Sequence, residues 1–120
     1  WDLIPKPEAY TELYFTGTPP TTFVPAQQTT IAFTLRNVEN QTTDYTYVIE
    51  QLDNSGTVLA QLAKGTTNLK QDAGSSLTVP ITFIDNDATA KVRVTITFIE
   101  KNKTTPTTES IYYLVKRGES

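Results

Sequence analysis

Thirteen carboxylates and six tyrosines are the side chains of this 120-residue chain best placed for chemistry, because histidine, cysteine and methionine are all absent. Two carboxyls held ~5–10 Å apart across a cleft can hydrolyse a glycosidic bond. Here the acidic residues are scattered through loops and strand faces, and no spacing singles out a pair. A Ser-His-Asp relay has no base to use, and no nucleophile elbow is present. Soft-metal and redox chemistry lacks its usual ligands. Asp85-Asn86-Asp87 could offer oxygens to calcium, which takes six to eight of them, usually from more than one loop. Three consecutive polar residues are also an ordinary turn. The expectation is a chain with no catalytic residues, no metal site and no cofactor.

Binding has more candidates. Tyr10, Tyr14 and Tyr112 could stack on sugar rings, since aromatic faces carry amphipathic contact area. The competing reading is strand propensity and cross-strand packing. The polar loop Glu100–Glu109 contains Asn102 between two lysines. Loops on a rigid scaffold are where recognition usually sits, and exposed polar tips are also simply mobile. Asn40-Gln41-Thr42 and Asn102-Lys103-Thr104 match the N-glycosylation pattern. The net charge of -3, with no basic run longer than Lys116-Arg117, excludes nucleic acid as a partner. An unknown protein or a surface glycan remains.

The elements that must position these residues are strands. Residues 89–99 alternate strictly, with Val92, Val94, Ile96 and Phe98 on one parity and Lys91, Arg93, Thr95 and Thr97 on the other. A period of two specifies a half-buried strand. The same reasoning predicts strands over 10–16, 29–36, 44–52, 76–84 and 110–116. Phe23-Val24-Pro25 reads as a short edge piece. Asp53-Asn54-Ser55-Gly56 reads as a hairpin turn, because Asn and Gly tolerate positive φ. Residues 57–63 are ambiguous. Val58, Ala60 and Leu62 alternate as a strand, whereas Leu59, Leu62 and Ala63 could form a helical turn stopped by Gly65. Pro80 cannot donate to a ladder, which places it on an edge or at a bulge. Seven or eight short strands with regular turn signals predict an all-β, Ig-like antiparallel sandwich over residues 10–117, without the Cys–Trp–Cys signature of antibody domains. Residues 118–120 form a tail.

Residues 1–9 carry Pro5 and Pro7, each of which stiffens the backbone and holds its predecessor extended. No apolar run approaches the ~20 residues of a membrane span. The absent start methionine suggests a processed piece of something longer. The segment Tyr10-Thr11-Glu12-Leu13-Tyr14, then Asn37-Val38-Glu39, then Tyr45, resembles the extracytoplasmic part of prokaryotic membrane proteins catalogued as domain of unknown function 1616. Members carry a Thr-Glu-aromatic first strand, an Asn-x-Glu turn and a Tyr opening the following strand, often with His where this chain has Val38. The likeness covers about the first half of the chain. It implies a domain displayed outside the cell, with residues 1–9 as a juxtamembrane linker and an anchoring helix outside this chain. It implies Thr11, Glu12, Asn37, Glu39 and Tyr45 as family-motif positions, and no activity.

Overall fold

The computed structural model describes residues 10–17, 21–39, 41–84, 89–100 and 103–118. The expected linker 1–9, the turn Asp85-Asn86-Asp87, Asn40, Asn102 and residues 119–120 lie outside the described residues. Eight strands form: β1 (Tyr10–Phe15), β2 (Thr22–Phe23), β3 (Gln28–Val38), β4 (Thr43–Leu52), β5 (Val58–Leu69), β6 (Gly74–Thr82), β7 (Thr89–Phe98) and β8 (Thr107–Arg117). They make a three-stranded sheet, β1-β3-β6, and a five-stranded sheet, β2-β8-β7-β4-β5. The two sheets form an Ig-like sandwich. Every pairing is antiparallel except the two-residue contact of β2 with β8, which is parallel.

The inward parity of each strand supplies the core. Ile31, Phe33 and Leu35 of β3 and Val92, Val94, Ile96 and Phe98 of β7 are all buried. Burial of such side chains contributes roughly 1.5–3 kcal/mol each. Aromatic contacts bridge the sheets: Phe33 meets Tyr47 edge-on at 5.5 Å between centroids, and Phe15 meets Tyr113 at 5.0 Å.

The ambiguous segment is strand, and it runs on to Leu69. Its register against β4 shifts twice, leaving Leu62 and Leu59 as the extra residues of two bulges. Each bulge inserts one residue and turns the strand. Apolar residues therefore recur at spacings of three and one, which is why the segment also reads as a helical turn. Gly65 does not stop the strand. It makes room for a ring: a Cβ there would sit 2.5 Å from Oη and 2.6 Å from Cζ of Tyr47. Gly65→Ala is expected to destabilise the domain by about 1–3 kcal/mol through overpacking. Urea unfolding measures this, and in a Tyr47→Val background, where the ring is gone, Gly65→Ala should cost little further. A stable single variant would mean the ring moves aside freely.

Pro80 is exposed on β6, an edge strand, opposite Thr30. β3 continues two residues past Arg36, because Asn37 N–H donates to Ala73 O (2.9 Å) and Asn37 O accepts from Asp72 N–H (2.7 Å). The register also fixes the poles. Tyr10 lies beside Val38 at the pole that holds Thr43 and Leu69. Arg117 lies beside Phe23 at the other, next to the start of β7. Eleven residues of β8 span about 35 Å between them.

Candidate functional site

The most connected polar group lies at the first pole, where β1, the end of β3 and the start of β4 meet. Thr11 points inward from β1 because it shares the parity of Leu13 and Phe15. Tyr45 points inward from β4 on the parity of Tyr47 and Ile49. The Thr11 hydroxyl donates to Glu39 Oε2 at 2.6 Å. With that proton committed, Tyr45 Oη donates to Thr11 Oγ1 at 2.8 Å. Asn37 serves the turn: its Nδ2 donates to Gln41 O and Leu69 O, both at 2.8 Å, and its Oδ1 accepts from Glu39 N–H at 2.8 Å. A short amide closing on its own backbone two residues on is an Asx turn. Thr43 Oγ1 donates to Gln41 O at 3.1 Å.

These residues have no access to a ligand. Asn37 and Tyr45 are fully buried, Glu39 is 1% exposed and Thr11 is 5% exposed. Glu39 Oε1 is buried with no hydrogen-bond partner among the described residues. Burial pushes the Tyr45 phenol above its ordinary value; the Thr11 hydrogen bond works against this, and Glu39 adds to it. Burial also raises the Glu109 carboxyl, with smaller contributions from Glu39 and Glu100. Among the described residues no three His, Cys, Asp or Glu side chains converge to hold a metal ion. The arrangement ties β1, β3, β4 and the end of β5 together; its chemistry is that of a structural lock.

Glu109 binds its proton more tightly folded than unfolded. Its contribution to stability is therefore most favourable below the ordinary carboxylate range and falls as pH rises through that range toward the raised value. Glu109→Gln is expected to raise the thermal midpoint at about pH 7 and to flatten its change between about pH 4 and pH 7. Unchanged melting curves at both pH values would refute this.

The family-motif positions separate. Thr11, Asn37, Glu39 and Tyr45 come together in the lock. Glu12 does not: it points outward from β1 and pairs with Arg36 at 3.3 Å, with both side chains partly exposed. Such a pair contributes little. The candidate binding tyrosines also separate. Tyr10 and Tyr14 are 47% and 49% exposed on the outer face of the three-stranded sheet, about 13 Å apart along β1 on either side of Glu12. Tyr112 is 63% exposed on the outer face of the opposite sheet. There the Lys91 ammonium lies 5.5 Å from its ring centroid, and a groove of about 250 Å³ runs past Leu52, Gly56, Lys91, Arg93 and Tyr112. Asn102, as noted, is outside the described residues.

One polar clamp escaped the sequence reading. Gln51 is fully buried, and its amide donates to Ile84 O (3.1 Å) and accepts from Ile84 N–H (2.9 Å). It thus holds β4 to the segment leaving β6 as a strand neighbour would. Its signal was the inward parity 45/47/49/51, a polar residue where the alternation asks for an apolar one. No protein-family model matches this chain, and no curated protein matches it.

Proposed function

We propose that this is a non-catalytic, extracytoplasmic domain of a membrane-anchored surface protein, acting as a spacer and as a module for protein contact. The observation that supports it best is the placement of the two ends of the fold. The chain enters the sandwich at Tyr10 at one pole and leaves at Arg117 at the other, so the domain separates whatever it joins by its own length. The most connected buried polar residues go into holding the entry strand. The likeness of Thr11, Glu12, Asn37, Glu39 and Tyr45 to the family pattern supports the outward location and the anchor. In intact cells making the full protein, a membrane-impermeant amine reagent is expected to label the exposed Lys64 and Lys116. Labelling only after lysis would overturn the location.

Tyr10 and Tyr14, exposed on one strand face, favour a second reading as a carbohydrate-binding or adhesin module. Saturable binding to a cell-wall polysaccharide, lost in the Tyr10→Ala/Tyr14→Ala variant, would establish it. Absence of binding across a polysaccharide panel would remove it.

A further inference from the structure

β8 has one edge that is sparsely paired among the described residues. β7 pairs with Thr107–Lys116 on one side. On the other side, among the described residues, backbone hydrogen bonds come only from Thr21 to Phe23, at Lys116 to Gly118, while β1 draws near across the sandwich, with Phe15 against Tyr113. Lys116 N–H donates to Thr21 O and Gly118 N–H to Phe23 O, which fixes the parity. The register with β7 is unbroken, so every even-numbered residue of β8 turns its N–H and C=O away from β7. Among the described residues, none pairs with the backbone groups of Thr108, Ser110, Tyr112 and Leu114 on that side. All four are exposed.

The remaining edges carry the features that discourage pairing. β6 has Pro80, β1 is six residues long and carries Glu12, and β5 has two bulges and Lys64. These are the usual guards. The stretch Ser110-Ile111-Tyr112-Tyr113-Leu114-Val115 has none of them: no charge, no Pro, no Gly and high strand propensity. Tyr112 and Leu114 are the two most exposed large apolar residues described, at 63% and 61%.

We infer that this edge pairs antiparallel with the same edge of a second copy of the chain. β2 blocks the ladder at Lys116, so the open window is Thr108–Leu114 and its midpoint is Ile111. Self-pairing about that midpoint sets Ser110 opposite Tyr112 of the partner subunit and Thr108 opposite Leu114 of the partner subunit. Each of these four residues is uncharged, so a two-fold axis brings no like charges together. A charged edge could not satisfy this condition, since symmetry places the same residues on both sides. The two five-stranded sheets become continuous, and the exposed Tyr112 and Leu114 of each copy lie along the seam. The contact is narrow, which suits a dissociation constant between about 10 μM and 1 mM.

The inference names the partner within the protein-contact reading, and its test does not depend on where the domain is displayed. Residue-resolved amide exchange is followed on the 120-residue chain as its concentration rises. With a dissociation constant near about 100 μM, the amides of Ser110, Tyr112 and Leu114 are expected to slow roughly fivefold at about 1 mM. Ile111 and Tyr113, already bonded to β7, should not change. Sedimentation should show a dimer over the same range, weakened at least about tenfold by Leu114→Lys and left intact by Tyr14→Lys on the other sheet. A monomer at all concentrations, or slowing without the even-numbered pattern, overturns the inference. Slowing that requires an added extended peptide of different sequence also overturns it, and assigns the edge to another protein.

Discussion

Asn37→Ala is expected to lower the unfolding free energy by about 2–4 kcal/mol, because two buried backbone groups, Leu69 O and Glu39 N–H, lose this partner together, while the half-buried Gln41 O keeps the bond from Thr43. The Asn37 amide is the hydrogen-bond partner of Gln41 O, Leu69 O and Glu39 N–H, each at 2.8 Å. The side chain is fully buried, so water cannot replace it without opening the pole. An unmet buried polar group costs about 1–3 kcal/mol, and partial relaxation of the turn keeps the sum below two full penalties. Asn37→Asp should be as damaging. It keeps the acceptor for Glu39 N–H but sets a carboxylate against two carbonyl oxygens. Urea unfolding with a constant slope reads the loss directly. A cost under about 1 kcal/mol for Asn37→Ala would mean that the turn finds other partners.

Thr11→Val is the second large effect, at about 3 kcal/mol. Valine keeps the shape and strand preference of threonine, so packing is nearly conserved and the hydroxyl alone is lost. That hydroxyl is the hydrogen-bond donor to Glu39 Oε2 and the acceptor for Tyr45 Oη. Glu39 Oε1 already has no partner among the described residues, so the variant would leave the whole carboxyl buried without a donor. Removing one side of a buried polar arrangement costs more than removing both. Thr11→Val with Glu39→Leu should therefore be more stable than Thr11→Val alone. A cycle of the two changes should show a coupling above about 1 kcal/mol. Thr11→Ser should retain most of the stability. Additive losses would show that Thr11 and Glu39 do not act through each other.

The fold was largely legible because most strands obey a single period. β7 alternates without a break, and its five apolar positions, Ala90, Val92, Val94, Ile96 and Phe98, are the ones buried. β5 was harder because two bulges break the period, and the spacing they leave in the strand's own sequence also fits a helical turn. Their cause lies in the register with β4. Gly65 was open to two readings in the same way: a glycine that stops a helical turn and a glycine beneath a neighbouring ring look alike until the ring is placed. The lock was half legible. Asn37 was readable as a residue that folds back on its own turn. The burial of Glu39 was not, because an isolated glutamate in a polar stretch reads as solvent-facing. What makes it inward is Thr11, 28 positions earlier in the chain. The separation of Tyr112 from Tyr10 and Tyr14 depends on which sheet each strand joins, and alternation within a strand does not contain that information.

The opposite placement of the two ends has a mechanical consequence. Tension applied through the chain would draw β1 outward along its own axis at one pole and β8 outward along its own axis at the other. The six β1–β3 pairs lie across the first pull, and the parallel contact of β2 with β8 lies across the second. Hydrogen bonds perpendicular to a force share it and slide together, whereas bonds at a peeling end break one after another. The domain would hold its length under load and then give way in one step. Thr11, fastened to Glu39 and Tyr45 one residue inside the entry strand, stands where that load first arrives.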